Sequence, residues 1–424
     1  DPRWRPSVGD FSGERWCGSM ASIDHTEDPN NKEIQDQYDK LASAGLEWIF
    51  RLLSRDGCKG VRALGAQAIG IFFEAWWSPA EPLSTAAGHM ALACLQTLES
   101  DLGSRWVAPA GSPALPELLR LLWYGSELRS PGAVELLQAQ LGHATTSSGE
   151  RGAAFPAAGS HFNSRFGALL QDCQVLELAR VLFPTALCQL HLDGRQGPAA
   201  ELPGPLWGSA GLRHAFNCLE GDLRLAWPGS RAARNLESSF EEDLSLIAGI
   251  VHVISSCGAV KIRNSVAPWL FDYARQATAL LLTECRPGSM ANLAFGIDVL
   301  QSLGGEVDSD TTALVFAGQA SIAKQASPEG WIGRKPDSSA DFFSQIRQTW
   351  LAVRALRSRA AEGNAQYEDF ARHAATLLME ARLAAEPLEH YAPQLQSWLG
   401  TPEGRLSSQV PSVMESARGG EGGR

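Results

Sequence analysis

One segment of the chain places three oxygen-bearing side chains at a four-residue spacing. Asn235, Ser239 and Asp243 follow one another in this way within residues 234–243. Residues four apart lie one above the other on the same face of an α-helix. An amide oxygen, a hydroxyl and a carboxylate form a hard ligand set of the kind that Mg²⁺ prefers. The spacing therefore predicts a Mg²⁺ site on one face of a helix.

The pattern resembles the second metal-binding motif of class I terpenoid synthases, Asn-Asp-x-x-Ser-x-x-x-Glu. In that family the motif opens a long helix of an all-α domain, and its Mg²⁺ holds the substrate diphosphate. The resemblance implies Mg²⁺-dependent ionisation of an allylic prenyl diphosphate, with the metal acting as a Lewis acid. A terpene cyclase would release a cyclised terpene, and a prenyltransferase would release a prenylated small molecule. Arg231 and Arg234 are then expected to bind the diphosphate.

The sequence departs from the family's pattern at several positions. Asp243 stands where Glu is usual, and Leu236 stands where Asp is common. The chain contains no Asp-Asp pair, so the family's Asp-rich DDxxD motif is missing. The resemblance directs attention to an earlier helix, where Glu99 and Asp101 are expected to complete the metal site, with Glu74 as a further candidate. These departures favour a divergent member of the family.

A bulky aromatic run is expected to form the wall of the substrate pocket. Aromatic faces stabilise cations, and a terpenoid synthase must stabilise a carbocation. The expected wall residues are Phe72, Phe73, Trp76 and Trp77, with Phe216 and Trp227 as further candidates.

An ordinary helix start explains the same Asn-Ser-Asp pattern without a metal. Asn235 is a good N-cap residue, and the acidic side chains at 237–243 suit the positive end of a helix dipole. Leu236, Phe240 and Leu244 would then form the apolar stripe of this helix. Both interpretations stay open at this point.

Two other groups of polar residues have alternative interpretations. His252 lies in the apolar run Ile250–Ile254, which favours a core histidine over a catalytic base. A later helix carries several arginines beside a tryptophan, which predicts a solvated basic face. The alternatives are closure over an anion or contact with an acidic partner. The residues concerned are Arg347, Trp350, Arg354, Arg357 and Arg359.

Helical periodicity runs through most of the chain, whereas alternating strand patterns are nearly absent. Helices are predicted from Asn31 to a stop near Gly57, from Val61 to Trp77 and at 87–102, 115–123, 133–141 and 162–183. They continue at 210–223, 231–257, 268–285, 290–303, 311–326, 342–360 and 367–385. The predicted fold is all-α. The resemblance implies an antiparallel bundle of class I terpenoid-synthase type, with an α-solenoid or an α/α toroid as the alternative.

The domain organisation follows from the same patterns. Residues 1–31 are predicted to form an irregular N-terminal arm, 32–400 a helical domain and 401–424 a flexible tail. Segments 142–160 and 193–209 are rich in Gly, Ser and Pro and are possible internal linkers.

Composition excludes some classes of function. The chain has 424 residues and a net charge of −11 without a long basic run, which argues against a nucleic-acid-binding protein. No apolar run is long enough for a membrane-spanning helix. The eight cysteines form no CxxC pair, which favours reduced thiols and a soluble protein of a reducing compartment. This compartment would be the cytoplasm, or an organelle after removal of a transit peptide.

The expected ligand is thus a small-molecule prenyl diphosphate bound with Mg²⁺, and the sequence makes no prediction of oligomeric state. The alternative function is a non-catalytic helical-repeat protein that binds a protein partner along an open groove. A third possibility is a catalytically inactive subunit of a biosynthetic pathway.

Overall fold

A computed structural model describes residues 29–102, 114–137, 216, 237–284, 290–304, 307–359 and 365–380. The described residues are predominantly helical, which confirms the all-α prediction. The class I terpenoid-synthase type stays a prediction. Asn235, Arg231, Arg234, both possible linkers, the tail and the arm lie outside the described residues, except that Pro29–Asn31 open the first helix.

The described helices lie close to the predicted positions, and the helices predicted at 162–183 and 210–223 lie outside the described residues apart from residue 216. The first group comprises α1 (Pro29–Leu53), α2 (Arg55–Leu64), α3 (Ala66–Trp76), α4 (Glu81–Leu102) and α5 (Ala114–Glu127), and residues 131–137 are also helical. The second group comprises α6 (Glu237–Ile254), α7 (Pro268–Glu284), α8 (Met290–Leu300), α9 (Ser309–Ala323), α10 (Phe342–Leu356) and α11 (Ala365–Glu380).

Side-chain caps fix the start of two of these helices. The Asp308 carboxylate accepts a hydrogen bond from the Thr311 amide at 2.7 Å and caps α9. Asp341 caps α10 in the same way, at 2.9 Å from the Ser344 amide. Each carboxylate satisfies a backbone N–H that has no partner within its helix.

The single helix predicted from Val61 to Trp77 is wrong, because the chain forms two helices there. Gly65 separates α2 from α3 with φ 55° and ψ −129°, a conformation that a residue with a Cβ avoids. The predicted stop near Gly57 is confirmed, since α1 ends at Leu53 and Gly57 adopts φ +70°.

Two very short strands join the second group of helices. Strand β1 (Ile262–Arg263) pairs in parallel with β2 (Leu303–Gly304), with Ile262 opposite Leu303. This pairing ties the segment after α6 to the segment after α8.

Helix α8 lies at the centre of the second group and packs against α6, α7, α9 and α10. Ten of its eleven residues are buried, and Asn292 alone is partly exposed. Asp298 is the one acidic residue in this helix, so its carboxylate lies in the protein interior.

The first described helix packs against one of the last, because α1 contacts α10 directly. The Gln35 side chain donates a hydrogen bond to the Leu356 carbonyl at 3.0 Å, and the Asp39 carboxylate accepts one from the Ser358 amide at 2.7 Å. In an open solenoid each repeat contacts its sequence neighbours alone. The contact between α1 and α10 therefore closes this helical body. Within the described part of the chain, no helix combines the length and hydropathy needed to cross a membrane.

Candidate functional site

Four helices bring six ionisable side chains together in the interior. We call these residues the buried charge network. Its members are Glu74 on α3, His252 on α6, Asp298 on α8, Arg354 on α10, and Arg357 and Arg359 just after α10.

Asp298 pairs with two arginines of the network. Its Oδ2 accepts a hydrogen bond from Arg354 Nη2 at 2.6 Å, and its Oδ1 accepts one from Arg359. Arg359 also donates to Ser302 Oγ at 2.6 Å. Burial by itself would raise the pKa of Asp298, but Arg354 and Arg359 overcome that effect and lower it to about 2. The carboxylate is therefore ionised at neutral pH.

Glu74 and His252 form the other side of the network. His252 Nε2 lies 3.5 Å from Glu74 Oε1, and His252 Nδ1 lies 3.3 Å from Arg354 Nη2. Burial lowers the pKa of His252 well below its usual range, and Arg354 lowers it further, so the imidazole is neutral. Burial raises the pKa of Glu74, although Arg354 and Arg357 oppose that shift.

The network contains three guanidinium groups and two carboxyl groups, so it carries an excess of positive charge. Arg357 donates to the Cys257 carbonyl at 3.3 Å, and none of the described carboxylates lies within 4 Å of it. Burial, followed by the nearby Arg359, lowers the pKa of Arg357 to about 10. Burial and the same two arginines lower the pKa of neighbouring Lys261 to about 7.

A tight turn after α6 positions the arginines. Ser256, Cys257 and Gly258 have φ values of 49°, 60° and 82°, a left-handed conformation that costs energy at the two residues with a Cβ. A Cβ on Gly258 would lie 2.5 Å from Arg359 Nη1. Glycine at this position therefore allows the guanidinium group to lie against the backbone.

A cavity of about 100 Å³ lies beside the network, where α3, α5, α6, α8 and α10 meet. Its ionisable lining residues are Glu74, Arg120, His252, Cys257, Arg347 and Arg354, and its aromatic ones are Trp123, Tyr124, Phe295, Phe343 and Trp350. On α6 the lining residues are Ser245, Ala248, Gly249 and His252, which is the spacing of one helix face.

Close contacts fix two walls of this cavity. The Arg354 guanidinium lies 5.5 Å from the centre of the Trp350 ring, within the range of a cation–π interaction. A Cβ on Gly70 would lie 2.7 Å from the Tyr124 hydroxyl and 3.7 Å from Arg120 Nη2. The absence of a side chain at Gly70 therefore lets α3 approach α5.

This arrangement suits a ligand that carries a negative charge. Three arginine side chains line the cavity against one carboxyl group, that of Glu74. Their field is strong there because aromatic and helical walls lower the local dielectric. The neutral His252 adds no charge.

Of the predicted metal ligands, the further candidate Glu74 lines this cavity. Ser239 and Asp243 belong to α6, for which the structure gives their helix position alone. Position 252 lies nine residues after position 243, which at about 100° per residue places the two on opposite sides of the helix. Glu99 lies on α4 and does not line the cavity, and for Asp101 the structure gives its position in α4 alone. Within the described ranges, no three His, Cys, Asp or Glu residues are grouped to hold a metal. The Mg²⁺ site stays a prediction.

The predicted aromatic wall lies next to the cavity. Phe72 and Phe73 are fully buried core residues, and none of Phe72, Phe73, Trp76 or Trp77 lines the cavity. Phe73 does pack against two residues that line it, with ring centres 5.1 Å from Trp123 and 4.7 Å from Tyr124. Trp77 also lies against Trp123, with ring centres 6.2 Å apart, so Phe73 and Trp77 support the cavity wall from behind.

The solvated basic face predicted for the later arginines is wrong for three of them. Arg354 and Arg357 are 8% and 3% exposed, and the Arg359 side chain is 5% exposed. Buried carboxylates on α3 and α8 attract them inward. The interpretation of His252 as a core residue fits its position, since its side chain is 13% exposed and contacts Glu74 and Arg354.

Sequence reasoning missed Asp298 and Arg120. The available signal was a lone charged residue within an apolar helix, as for Asp298 within Met290–Leu300. Such a residue must find a partner in the core, because burying an unpaired charge is costly.

Comparison of the chain with protein-family models, curated proteins and solved structures finds no match.

Proposed function

We propose that this protein binds a small organic anion, a carboxylate or a phosphate ester, in the cavity between α3, α5, α6, α8 and α10. The observation that carries the proposal is the lining of the cavity by three arginines and five aromatic rings around a single carboxyl group. Arginines supply paired donors for a carboxylate or phosphate, and aromatic rings pack against the apolar part of a ligand.

The arginine at the centre of the site is held in place before a ligand arrives. Arg354 is fixed by Asp298 at 2.6 Å and by the Trp350 ring. A side chain that is already ordered loses little entropy when a ligand binds, and this favours affinity.

The size of the cavity limits the ligand. About 100 Å³ is less than the volume of a cavity that encloses benzene, roughly 150 Å³. We therefore expect a compact ligand, or a compact charged end of a longer molecule.

Isothermal titration with propionate, ethyl phosphate and uncharged 1-propanol tests the proposal. We expect at least one of the two anions to bind, and 1-propanol to bind more weakly. Arg347→Gln should weaken anion binding by roughly tenfold, because it removes one charged donor from the cavity. Arg263→Gln, at an exposed position outside the cavity, is the matched control and should bind like the parent protein. Failure of both anions to bind to the folded protein would reject the proposal.

The sequence pattern Asn235-Ser239-Asp243 supports a second proposal, the Mg²⁺-dependent ionisation of an allylic prenyl diphosphate. Titration with geranyl diphosphate, with and without Mg²⁺, tests it separately. Mg²⁺-dependent binding that Asn235→Ala/Asp243→Ala loses would support it. Equal binding by the parent and this double variant would leave the pattern as an ordinary helix start.

A further inference from the structure

Helices α6 and α10, which both line the cavity, run in the same direction. Arg354 of α10 contacts His252 of α6, and farther along the chain from both residues Arg357 donates to the Cys257 carbonyl. Because both segments advance together from the first contact to the second, the two helices are parallel. A lining residue two turns before Arg354 therefore lies at the same end of the cavity as a lining residue two turns before His252.

Helix α3 has the same direction as α10. Glu74 lies 3.4 Å from Arg354, and beyond both residues the Ser78 hydroxyl donates to the Ser358 carbonyl at 3.2 Å. Glu74, His252 and Arg354 therefore form one end of the cavity, which we call the charged end. Seven residues span about 10 Å of helix, so the lining residues seven positions earlier lie together at the opposite end.

The opposite end of the cavity is lined by polar side chains from four helices. A Cβ on Gly70 would lie 3.7 Å from Arg120 Nη2, and Gly70 is three residues after Gln67 on α3, so the Arg120 guanidinium lies toward this end. We call this set of residues the polar end. Its members are Gln67 on α3, Arg120 on α5, Ser245 on α6 and Arg347 on α10.

Two side chains of the polar end have unused hydrogen-bonding groups. Ser245 is 8% exposed, and neither its hydroxyl nor the Gln67 amide bonds with a described residue. The Ser245 hydroxyl keeps accessible surface in the cavity, whereas the Ser256 hydroxyl, also without a partner, is fully enclosed. A buried polar group without a partner costs free energy. A ligand that accepts a hydrogen bond from Ser245 removes that cost.

The donors and charges of the cavity suit a phosphate better than a carboxylate. The two oxygens of a carboxylate lie in one plane, and a single arginine engages both. A phosphate monoester has three terminal oxygens and carries about two negative charges at neutral pH, so it can use two guanidinium groups, a hydroxyl and an amide together. Three arginines line the cavity against the one carboxyl group of Glu74, so a doubly charged ligand matches its charge.

We propose that the ligand is a phosphate monoester whose phosphate group lies at the polar end, where it accepts hydrogen bonds from Ser245 and Gln67 and pairs with Arg120 and Arg347. This inference rests on the proposed function, since it names the class of anion that the same cavity binds. The hydroxyl and the amide favour phosphate over carboxylate, and the arginines supply the attraction for charge.

Three small anions separate the effects of shape and charge. Propionate is planar and singly charged, ethanesulfonate is tetrahedral and singly charged, and ethyl phosphate is tetrahedral with about two charges. We expect the affinity to rise in that order, with ethyl phosphate binding at least roughly tenfold more tightly than propionate. Isothermal titration of the full chain near neutral pH and at constant ionic strength measures the three dissociation constants.

Ser245→Ala tests the residue assignment. Loss of this donor should weaken ethyl phosphate binding roughly tenfold and propionate binding by less. Gln67→Ala is a second variant at the polar end with the same expectation. Ser321→Ala on α9, outside the cavity, is the matched control and should bind like the parent protein. Alanine favours helix, so these variants should fold, which circular dichroism verifies.

The possible outcomes separate the two proposals. Propionate binding to the parent protein as tightly as ethyl phosphate would overturn this inference and leave anion binding in place. An unchanged affinity for ethyl phosphate in both Ser245→Ala and Gln67→Ala would overturn it as well. Failure of all three anions to bind would reject the proposed function itself.

Discussion

Asp298 is the residue on which the geometry of the interior depends most. It is the carboxylate that pairs with both Arg354 and Arg359, and it lies on a helix whose other buried residues are apolar or glycine. A buried ion pair contributes little compared with an apolar pair of the same shape, but the loss of one partner leaves a charge without compensation. Removal of this carboxylate therefore leaves the two arginines as buried charges without compensation.

We expect Asp298→Asn to lower the free energy of unfolding by about 3–5 kcal/mol, because it leaves two buried guanidinium groups without their carboxylate. Urea denaturation followed by circular dichroism measures the change. Asp369→Asn is the control, since Asp369 pairs with Arg372 at an exposed site and should cost about 0.5 kcal/mol or less. Similar losses for the two variants would contradict the assignment of Asp298.

Lys261 gives the protein a distinct dependence on pH. Its pKa of about 7 lies below the value of 10.5 in the unfolded chain, because burial and Arg359 disfavour its charged form. Between these values the unfolded chain binds the proton and the folded protein does not, so the contribution of Lys261 to stability rises with pH. Below pH 7 both states are protonated, and the folded state carries an unfavourable buried charge.

We expect Lys261→Met to exceed the parent protein in stability by the largest margin at and below pH 7, where Lys261 is charged in the folded protein. The stability difference in favour of the variant should shrink by about 1 kcal/mol per pH unit as the pH rises from 7 to 10. Denaturation curves of both proteins at matched pH values measure this slope. A difference that does not change with pH would show that Lys261 is charged in the folded protein.

At the scale of elements, the turn after α6 connects the histidine face of that helix to the arginines after α10. The Cys257 carbonyl accepts from Arg357, and Gly258 lies against Arg359. Three consecutive left-handed residues allow the chain to reverse while leaving a backbone carbonyl directed at a cation. The turn and the arginine segment thus determine each other's positions.

Alanine substitutions at two glycines with positive φ distinguish the cost of backbone strain from the cost of a steric clash. Gly258→Ala should lower stability by more than the roughly 1–2 kcal/mol that a left-handed backbone costs, because its Cβ also meets Arg359. Gly57→Ala should show the backbone cost alone, since no atom lies within 4 Å of a Cβ there. Urea denaturation of both variants measures the difference, and equal losses would exclude a steric role for Arg359.

Most helices were predictable from sequence because their apolar periodicity and their Gly and Pro boundaries are local signals. The start of α7 at Pro268 and the extent of α10 from Phe342 illustrate this. The break at Gly65 was not predictable, because an apolar helix tolerates an internal glycine and only tertiary packing decides whether the chain bends there.

The candidate site was less predictable than the fold. Glu74 was predicted as a further candidate metal ligand and His252 as a core histidine, but the network that they form with Asp298 joins Glu74 to a residue more than 200 positions away. Arg354 illustrates the difficulty: a helix with several arginines suggests a solvated face, and its burial depends on carboxylates supplied by α3 and α8.

At the scale of the whole molecule, the contact between α1 and α10 joins the first described helix to one of the last. Gly45 lies in this contact, and a Cβ there would approach Val353 Cγ2 to 2.8 Å and Thr349 Cγ2 to 3.3 Å. Close helix packing at Gly45 also brings Asp39 to the Ser358 amide, next to Arg357 and Arg359. The packing of α1 against α10 therefore helps to hold in place the segment that carries Arg357 and Arg359.

We expect Gly45→Ala to destabilise the protein by about 1 kcal/mol or more, because the added methyl group overpacks the contact between α1 and α10. Gly125→Ala is a matched helical control in α5, where a Cβ would make ordinary contacts of 3.5 Å or longer. This control should be neutral or more stable by up to about 1 kcal/mol, since alanine favours helix. Thermal denaturation compares the two, and a stabilising effect of Gly45→Ala would contradict the close packing.

The contact between α1 and α10 also has a consequence for synthesis of the chain. Gln35 and its partner Leu356 are separated by 321 residues. At elongation rates of about 5–20 residues per second, roughly 15–60 s pass on the ribosome before α10 exists for α1 to pack against. During that time the face of α1 that carries Gly45, which lies against Val353 and Thr349 in the finished protein, has no α10 to pack against. The nascent chain is therefore a natural client for chaperones that bind exposed apolar helices.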